Sequence, residues 1–215
     1  MSHAVQIPQF WRAFNSLMGI LRAMPRDSAE TRQRILNGAY ALFYRQGFER
    51  TGVDAVAVAA GVTKRTLYNH FASKDDLLAE VLAGQARFAA KEIRRWCGDE
   101  PRTAEDLVGA VFGGLREWSR SPDWRGSGFT RAAMELAWAP GHPVRRAAAT
   151  QKSAVERALS DALLKAGAVE SDRLARALVV LIEGAMTLRL IHGDPLWFDV
   201  AEDSARTLVQ STVSG

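Results

Sequence analysis

Apolar side chains recur every three or four positions along the chain from Ile35 onward, and no segment of any length alternates as a strand would. The pattern predicts an all-α fold without internal repeats. Asp27, followed three residues later by Glu30, marks a first helix with Ile35, Ala39, Leu42 and Phe43 inward, ended by Gly47 near Phe48. Val53, Val56, Ala57 and Ala60 outline a short second helix, for which Thr51 with Asp54 supplies an N-terminal capping signal. Gly61 ends it, Val62 plugs the corner, and Thr63 caps a third helix running from Lys64 to about Phe71. Small Ala57 and Gly61 suit a close crossing of these two helices. Ser73 caps a fourth helix with Asp75 and Asp76 in its first turn, where the helix dipole favours acids; Leu77, Leu78, Val81, Leu82, Phe88 and Ile93 carry it toward Trp96.

A loop over 99–102 separates this part from a second helical region. Val108, Val111, Phe112 and Leu115 share one face, a break follows over 121–128, and helical spacing resumes from Phe129 to Trp138. Residues 144–166 read as a more polar helix with Val155, Leu159, Ala162 and Leu163 inward. Leu174, Leu178, Leu181, Ala185, Leu188 and His192 then form one apolar line, and Val179, Ile182, Met186 and Leu190 a second. A helix apolar on two sides must be covered on two sides. Asp194-Pro195 opens the last helix, with Trp197, Ala201, Leu208 and Val209 as apolar positions. One covering is the chain's own core. The other is expected to be a second copy through Leu174, Leu178, Leu181, Ala185, Leu188, His192, Trp197, Ala201 and Leu208; a deeply buried helix in a monomer is the alternative.

The third helix opens with Thr63-Lys64-Arg65-Thr66, two hydroxyls and two cations ahead of its first large apolar residue, Leu67. In a helix-turn-helix the start of the second helix enters the DNA major groove, where Lys, Arg and Thr meet phosphates and base edges. On periodicity alone, an ordinary helical hairpin with solvated cations fits as well.

In register, Thr51-Gly-Val-Asp-Ala-Val-Ala57, Ala60-Gly-Val-Thr63, Leu67-Tyr-Asn-His-Phe71 and Ser73-Lys74 resemble the DNA-binding domain of the TetR family of transcriptional regulators, over roughly Ser28 to Leu82. The turn, the Tyr-x-His-Phe ending and the Ser-Lys that follows make the resemblance specific. Val58-Ala59 departs from it, since many members carry polar residues there, and leaves the second helix few side chains for phosphates. The resemblance implies a first helix that buttresses the helix-turn-helix, Tyr68 and His70 on the DNA backbone, and Lys74 as a phosphate clamp. It also implies a twofold four-helix bundle from the last two helices and a ligand pocket in the body. Lys64 and Arg65 are the candidates for guanine edges; Thr63, Thr66 and Asn69 for bases or phosphates; Thr51 for a phosphate at a helix start. Phe112, Trp118, Phe129, Met134, Trp138 and Met186 are the apolar candidates for an effector cavity, although such stripes more often form plain core. Arg131 and Glu135, four residues apart, are expected to pair with each other.

Charge adds support. Residues 1–72 hold nine Lys/Arg against four Asp/Glu, whereas 73–215 hold nineteen against twenty, so the positive surplus lies in the segment that would face DNA. Arg12, Arg22 and Arg26 supply three of those charges from an N-terminal arm, 1–26, that is expected to be dispensable or to precede the true start at Met24; the alternative is an arm that adds contacts to DNA or to the body. One cysteine, Cys97, excludes an internal disulfide or cysteine-cluster metal site and suits a reducing cytoplasm. Of the six tryptophans, most are expected to be buried or to line a cavity. No signal peptide or membrane span is expected. The four histidines are dispersed, no phosphate loop accompanies Gly113-Gly114, and no enzymatic constellation or cofactor site is visible.

The expectation is therefore a three-helix helix-turn-helix domain over 27–73 followed by a helical ligand-binding and dimerisation domain over 74–215. Its function would be a cytoplasmic homodimeric repressor on an inverted-repeat operator, released by a small-molecule effector. The alternatives are a regulator without effector and a helical small-molecule-binding protein that has lost DNA affinity.

Overall fold

The computed structural model describes residues 26–98 and 103–213, so most of the expected N-terminal arm lies outside it. The described residues form nine helices and no strand: α1 (Arg26–Gln46), α2 (Val53–Ala60), α3 (Lys64–His70), α4 (Lys74–Cys97), α5 (Ala104–Ser119), α6 (Gly128–Glu135), α7 (Pro143–Lys165), α8 (Ser171–His192) and α9 (Leu196–Val213).

They group into two compact units, and the division differs from the expected one. The first runs to Phe88 and also takes Gly128–Ala148; the second holds Ala89–Ser127 and the chain from Ala149. The helix-turn-helix therefore folds with the first part of α4 and all of α6, rather than ending at residue 73.

In the first unit, α1 buries Ile35, Ala39 and Phe43 of the stripe read from the sequence, together with Leu36 and Tyr40, while Leu42 is only partly buried. Val56, Ala57 and Ala60 of α2, Leu67 of α3, Leu77 to Leu82 of α4 and Phe129 and Ala132 of α6 complete this core. Burying one side chain such as Leu67 contributes about 2–3 kcal/mol. A further close approach, of α1 to α2, is made at Gly38, where a Cβ would stand 3.2 Å from the Ala60 nitrogen.

The second unit has its own core, with Leu107, Val108, Val111, Phe112 and Leu115 of α5 against Leu159 and Leu163 of α7. Leu174, Leu178, Ile182 and Met186 of α8 and Phe198, Ala201 and Val209 of α9 belong to the same core. Thr103 and Asp106 form a reciprocal capping box at the start of α5. Arg116 of α5 bonds Asp199 at 2.8 Å and also Glu202 of α9, whose carboxylate takes Arg206 as well. This partly buried ionic cluster has no signature in the apolar periodicity. Among the described residues, no helix is long and apolar enough to cross a membrane.

Of the five described tryptophans only Trp124 is fully buried; Trp96, Trp118 and Trp197 are half-buried and Trp138 is exposed. The expectation of mostly buried tryptophans is thus corrected. The exposed Trp138 donates from its indole N–H to Glu49, whereas the buried Trp124 N–H has no hydrogen-bond partner among the described residues.

Candidate nucleic-acid interface

Gly61 makes the turn between α2 and α3. It sits in the left-handed region at φ 63°, ψ 39°, which costs glycine little, and the Gly61 and Val62 N–H groups return to carbonyls of α2. Thr63 then caps α3, its hydroxyl accepting from the Thr66 N–H at 3.1 Å and lying 2.8 Å from the Thr66 hydroxyl. Leu67 is fully buried beneath, so α3 is fixed by one face and presents the other.

That outward face separates the sequence candidates. Arg65, Tyr68 and Asn69 are exposed, and among the described residues no hydrogen bond or ion pair engages them. Lys64 is exposed too, but its ammonium pairs with Asp54 of α2 at 3.1 Å. Such a surface pair is worth at most about 1 kcal/mol and yields readily to a phosphate. Thr63 and Thr66 spend their hydroxyls on the cap. His70 is half-buried at the end of the helix.

Two candidates lie elsewhere. Thr51 is 1% exposed and donates from its hydroxyl to the Gly47 carbonyl at 2.6 Å. The N-cap of α2 is Gly52, which makes no side-chain cap, so Thr51 fastens the α1–α2 loop and presents no hydroxyl to a phosphate. Lys74 turns back over the Phe48 ring, 4.2 Å from its centroid, and reaches the Glu49 carbonyl at 3.4 Å. Burial lowers its pKa below the usual 10.5, opposed by the negative charges of Asp75, Glu49 and Glu135. Ser73 caps α4 as expected, accepting from the Asp76 N–H at 3.0 Å.

The loop after α1 is gripped from α6. The Arg131 guanidinium donates to the Tyr44 carbonyl at 2.6 Å, and the Glu135 carboxylate accepts from the Glu49 N–H at 3.0 Å. The expected Arg131–Glu135 pair does not form, because both side chains find fixed backbone partners on α1 and its loop. Trp138 adds a bond from its indole N–H to the Glu49 carboxylate at 3.0 Å, and His142 meets Asp75 at 3.2 Å. A cavity of about 20 Å³, room for a water or two, lies beside this clasp among Tyr40, Tyr44, Gln85, Arg131 and Glu135.

The six expected pocket residues are divided between the two units. Phe129, Met134 and Trp138 fall in the first unit, and Phe112, Trp118 and Met186 in the second. Phe112 is fully buried in core, whereas Met134 and Trp138 are 64% and 73% exposed. A helical stripe reports which side is apolar, not whether that side meets a cavity, a core or solvent.

The expected dimer residues divide in the same manner. Leu174, Leu178, Ala185 and Ala201 belong to the chain's own core, and Leu181, Leu188 and Trp197 are half-buried. His192 is exposed and stacks on Trp197 with ring centroids 5.4 Å apart; Leu208 is also exposed. The most exposed apolar side chains of these helices are instead Val180 and Ile191 on one face of α8, and Leu196 and Val200 on one face of α9. Both apolar lines expected on α8 meet the chain's own core, Leu174, Leu178 and Ala185 from one and Ile182 and Met186 from the other, while Val180 and Ile191 belong to neither, because residue spacing does not say how wide a face the core covers.

Residues 35–81 match the model of bacterial regulatory proteins of the tetR family. The chain is 43% identical over 60 residues to the HTH-type transcriptional regulator AcrR of Shigella flexneri, a match covering 28% of each chain. It is 36% identical over 73 residues to the HTH-type transcriptional repressor BepR of Brucella suis, covering 34% of each. These matches span only about a third of the curated relatives' length. A solved TetR-family transcriptional regulator from Streptomyces coelicolor is similar throughout: 30% identity and a TM-score of 0.78, covering 86% of this chain and 96% of that one. With the capped, turn-linked α2–α3 pair and a whole-chain likeness of this extent, the protein belongs to the TetR family of transcriptional regulators, and its helix-turn-helix is that family's DNA-binding element.

Proposed function

We propose that the protein is a homodimeric repressor that binds an inverted-repeat operator through α3 and is released by a small-molecule effector. The observation that carries this reading is the outward face of α3, where Arg65, Tyr68 and Asn69 stand unengaged on a helix locked by its Thr63 cap and by Leu67. Arg65 supplies a bidentate donor for guanine O6 and N7; Tyr68 and Lys64 serve phosphates, the latter by exchanging Asp54 for one. Exposed Val180, Ile191, Leu196 and Val200 support a second copy, since water-exposed apolar faces on adjacent helices are stabilised by mutual burial. A twofold dimer presents two α3 helices to successive major grooves, and so reads an inverted repeat. Repression is favoured by the name of the Brucella suis relative.

Release would follow if effector binding favours a different setting of α4 and of the α6 clasp on Tyr44 and Glu49, a population shift by differential affinity. A regulator without effector is the second reading, favoured by the packed surroundings of Phe112 and Met186. The experiment is selection of genomic fragments with purified protein, then titration of the best fragment at several salt concentrations. An inverted repeat bound by two copies, with affinity falling steeply in salt, is expected. Weak binding indifferent to sequence would overturn the regulator reading.

A further inference from the structure

The second unit contains a cation that its fold does not neutralise. Arg189 stands on the inward line of α8, after Ile182, Ala185 and Met186, at the spacing of a core residue. Its guanidinium lies 5.6 Å from the centre of the Trp124 ring. Among the described residues no carboxylate pairs with it, and its buried Nε has no hydrogen-bond partner. Glu183, on the same helix, is taken by Lys152 at 2.5 Å. Trp124 is itself buried, and its indole N–H also lacks an acceptor. Trp118 packs edge-on against it, centroids 5.9 Å apart. Two buried donor atoms, one of them in a part-buried guanidinium, thus lie near each other with no acceptor for either among the described residues. Leaving a buried donor unmatched is costly, and more so for a charged one. A fold tolerates this where another molecule completes the set.

We propose that this site binds an apolar carboxylic acid, its carboxylate accepting from Arg189 Nε and Trp124 Nε1 and its hydrocarbon body packing beside Trp118 and Met186. A carboxylate has two accepting oxygens, one for each donor. Charge selects an anion over an amide or alcohol, and the surrounding core selects an apolar body over a sugar or phosphate ester. The inference rests on the effector reading and gives it a chemical class. It also supplies a route: Trp124 lies four residues before α6, the helix whose Arg131 and Glu135 hold Tyr44 and Glu49 beside the helix-turn-helix. Repositioning Trp124 to share a carboxylate pulls on the start of that helix through residues 125–127.

The test uses the full chain, with 1-naphthoate and octanoate as probes and 1-naphthamide as the neutral match. Binding is followed by calorimetry, and operator release by the anisotropy of labelled DNA. The acids are expected to bind at least about ten-fold more tightly than the amide, and Arg189→Gln to lose about ten-fold for the acids while leaving the amide unchanged. Trp124→Phe, which keeps the ring and removes the N–H, is expected to lose about three- to five-fold. Thermal melting of both variants, and their operator affinity without ligand, verifies that they fold. Equal binding of acid and amide, indifference to Arg189→Gln, or no binding of either acid would overturn the proposal. If the acids bind through Arg189 yet leave DNA in place, the site stands and the effector role falls. If wild-type protein binds no operator at all, the failure belongs to the regulator reading.

Discussion

The outward face of α3 and those of α8 and α9 are built alike and used differently. Each helix buries one side completely, Leu67 under α3, Leu178 and Ile182 under α8, Phe198 and Ala205 under α9. Each leaves the opposite side in water. On α3 that side carries Lys64, Arg65, Tyr68 and Asn69; on α8 and α9 it carries Val180, Ile191, Leu196 and Val200. Solvated cations cost nothing in the free protein and gain by displacing counterions from a phosphate chain. Exposed valine and leucine cost hydration in the free protein and gain only from another apolar surface. The first face has the chemistry that suits nucleic acid, and the second the chemistry that suits another apolar surface.

The sharpest way to break this contrast is to make the second face resemble the first. Val180→Asp combined with Val200→Asp places like charges across any twofold contact, and the dimer is expected to dissociate with operator affinity falling on the order of 100-fold or more. Sedimentation, with circular dichroism to show the helices intact, checks this; a stable dimer would move the interface elsewhere. Next in size, Arg65→Ala is expected to cost about 1–3 kcal/mol on the preferred operator and to relax preference at one base position. Lys64→Ala should cost less, uniformly over sequences, because its ammonium already has Asp54; fragment competition separates the two.

The clasp offers a smaller test. Glu135→Ala removes the acceptor of the Glu49 N–H and is expected to destabilise the first unit by about 1 kcal/mol, read as a lowered urea midpoint. If α6 transmits release, the same variant also weakens coupling between effector and operator. The smallest effect is assigned to Lys74→Met, which keeps the contact with Phe48. A lowered folded-state pKa means that the unfolded chain holds this proton more tightly. The resulting penalty is present in full below the folded pKa and fades as pH rises toward 10.5, so stability gains slightly over that alkaline window. Urea midpoints against pH should show the gain in wild type and not in Lys74→Met. A salt slope reduced by about one in the variant would instead mark Lys74 as a phosphate contact.

The all-α fold, the stripe of α1, the Gly61 turn, the Thr63 and Ser73 caps and the position of α3 were all legible in the chain. Each is settled by interactions within a few residues, for which spacing and side-chain type are sufficient. Thr51 shows where local reading fails: Thr and Asp three apart mimic a capping signal, but the hydroxyl turns to the Gly47 carbonyl four residues back. Lys64 and Lys74 look equivalent to Arg65 in sequence, and only folding gives one an aspartate and the other a ring and a carbonyl.

The sequence by itself determined which segments are helices and which short pair faces DNA, because hydrogen bonding within a helix and the φ demanded at a turn are local. Tertiary structure decided how much of α8 its own core covers, which aromatic residues are buried, and which polar atoms are left over. Those outcomes depend on what lies across from a side chain, and residues far apart in the chain, such as Arg131 and Tyr44 or Arg189 and Trp124, meet only when the helices pack.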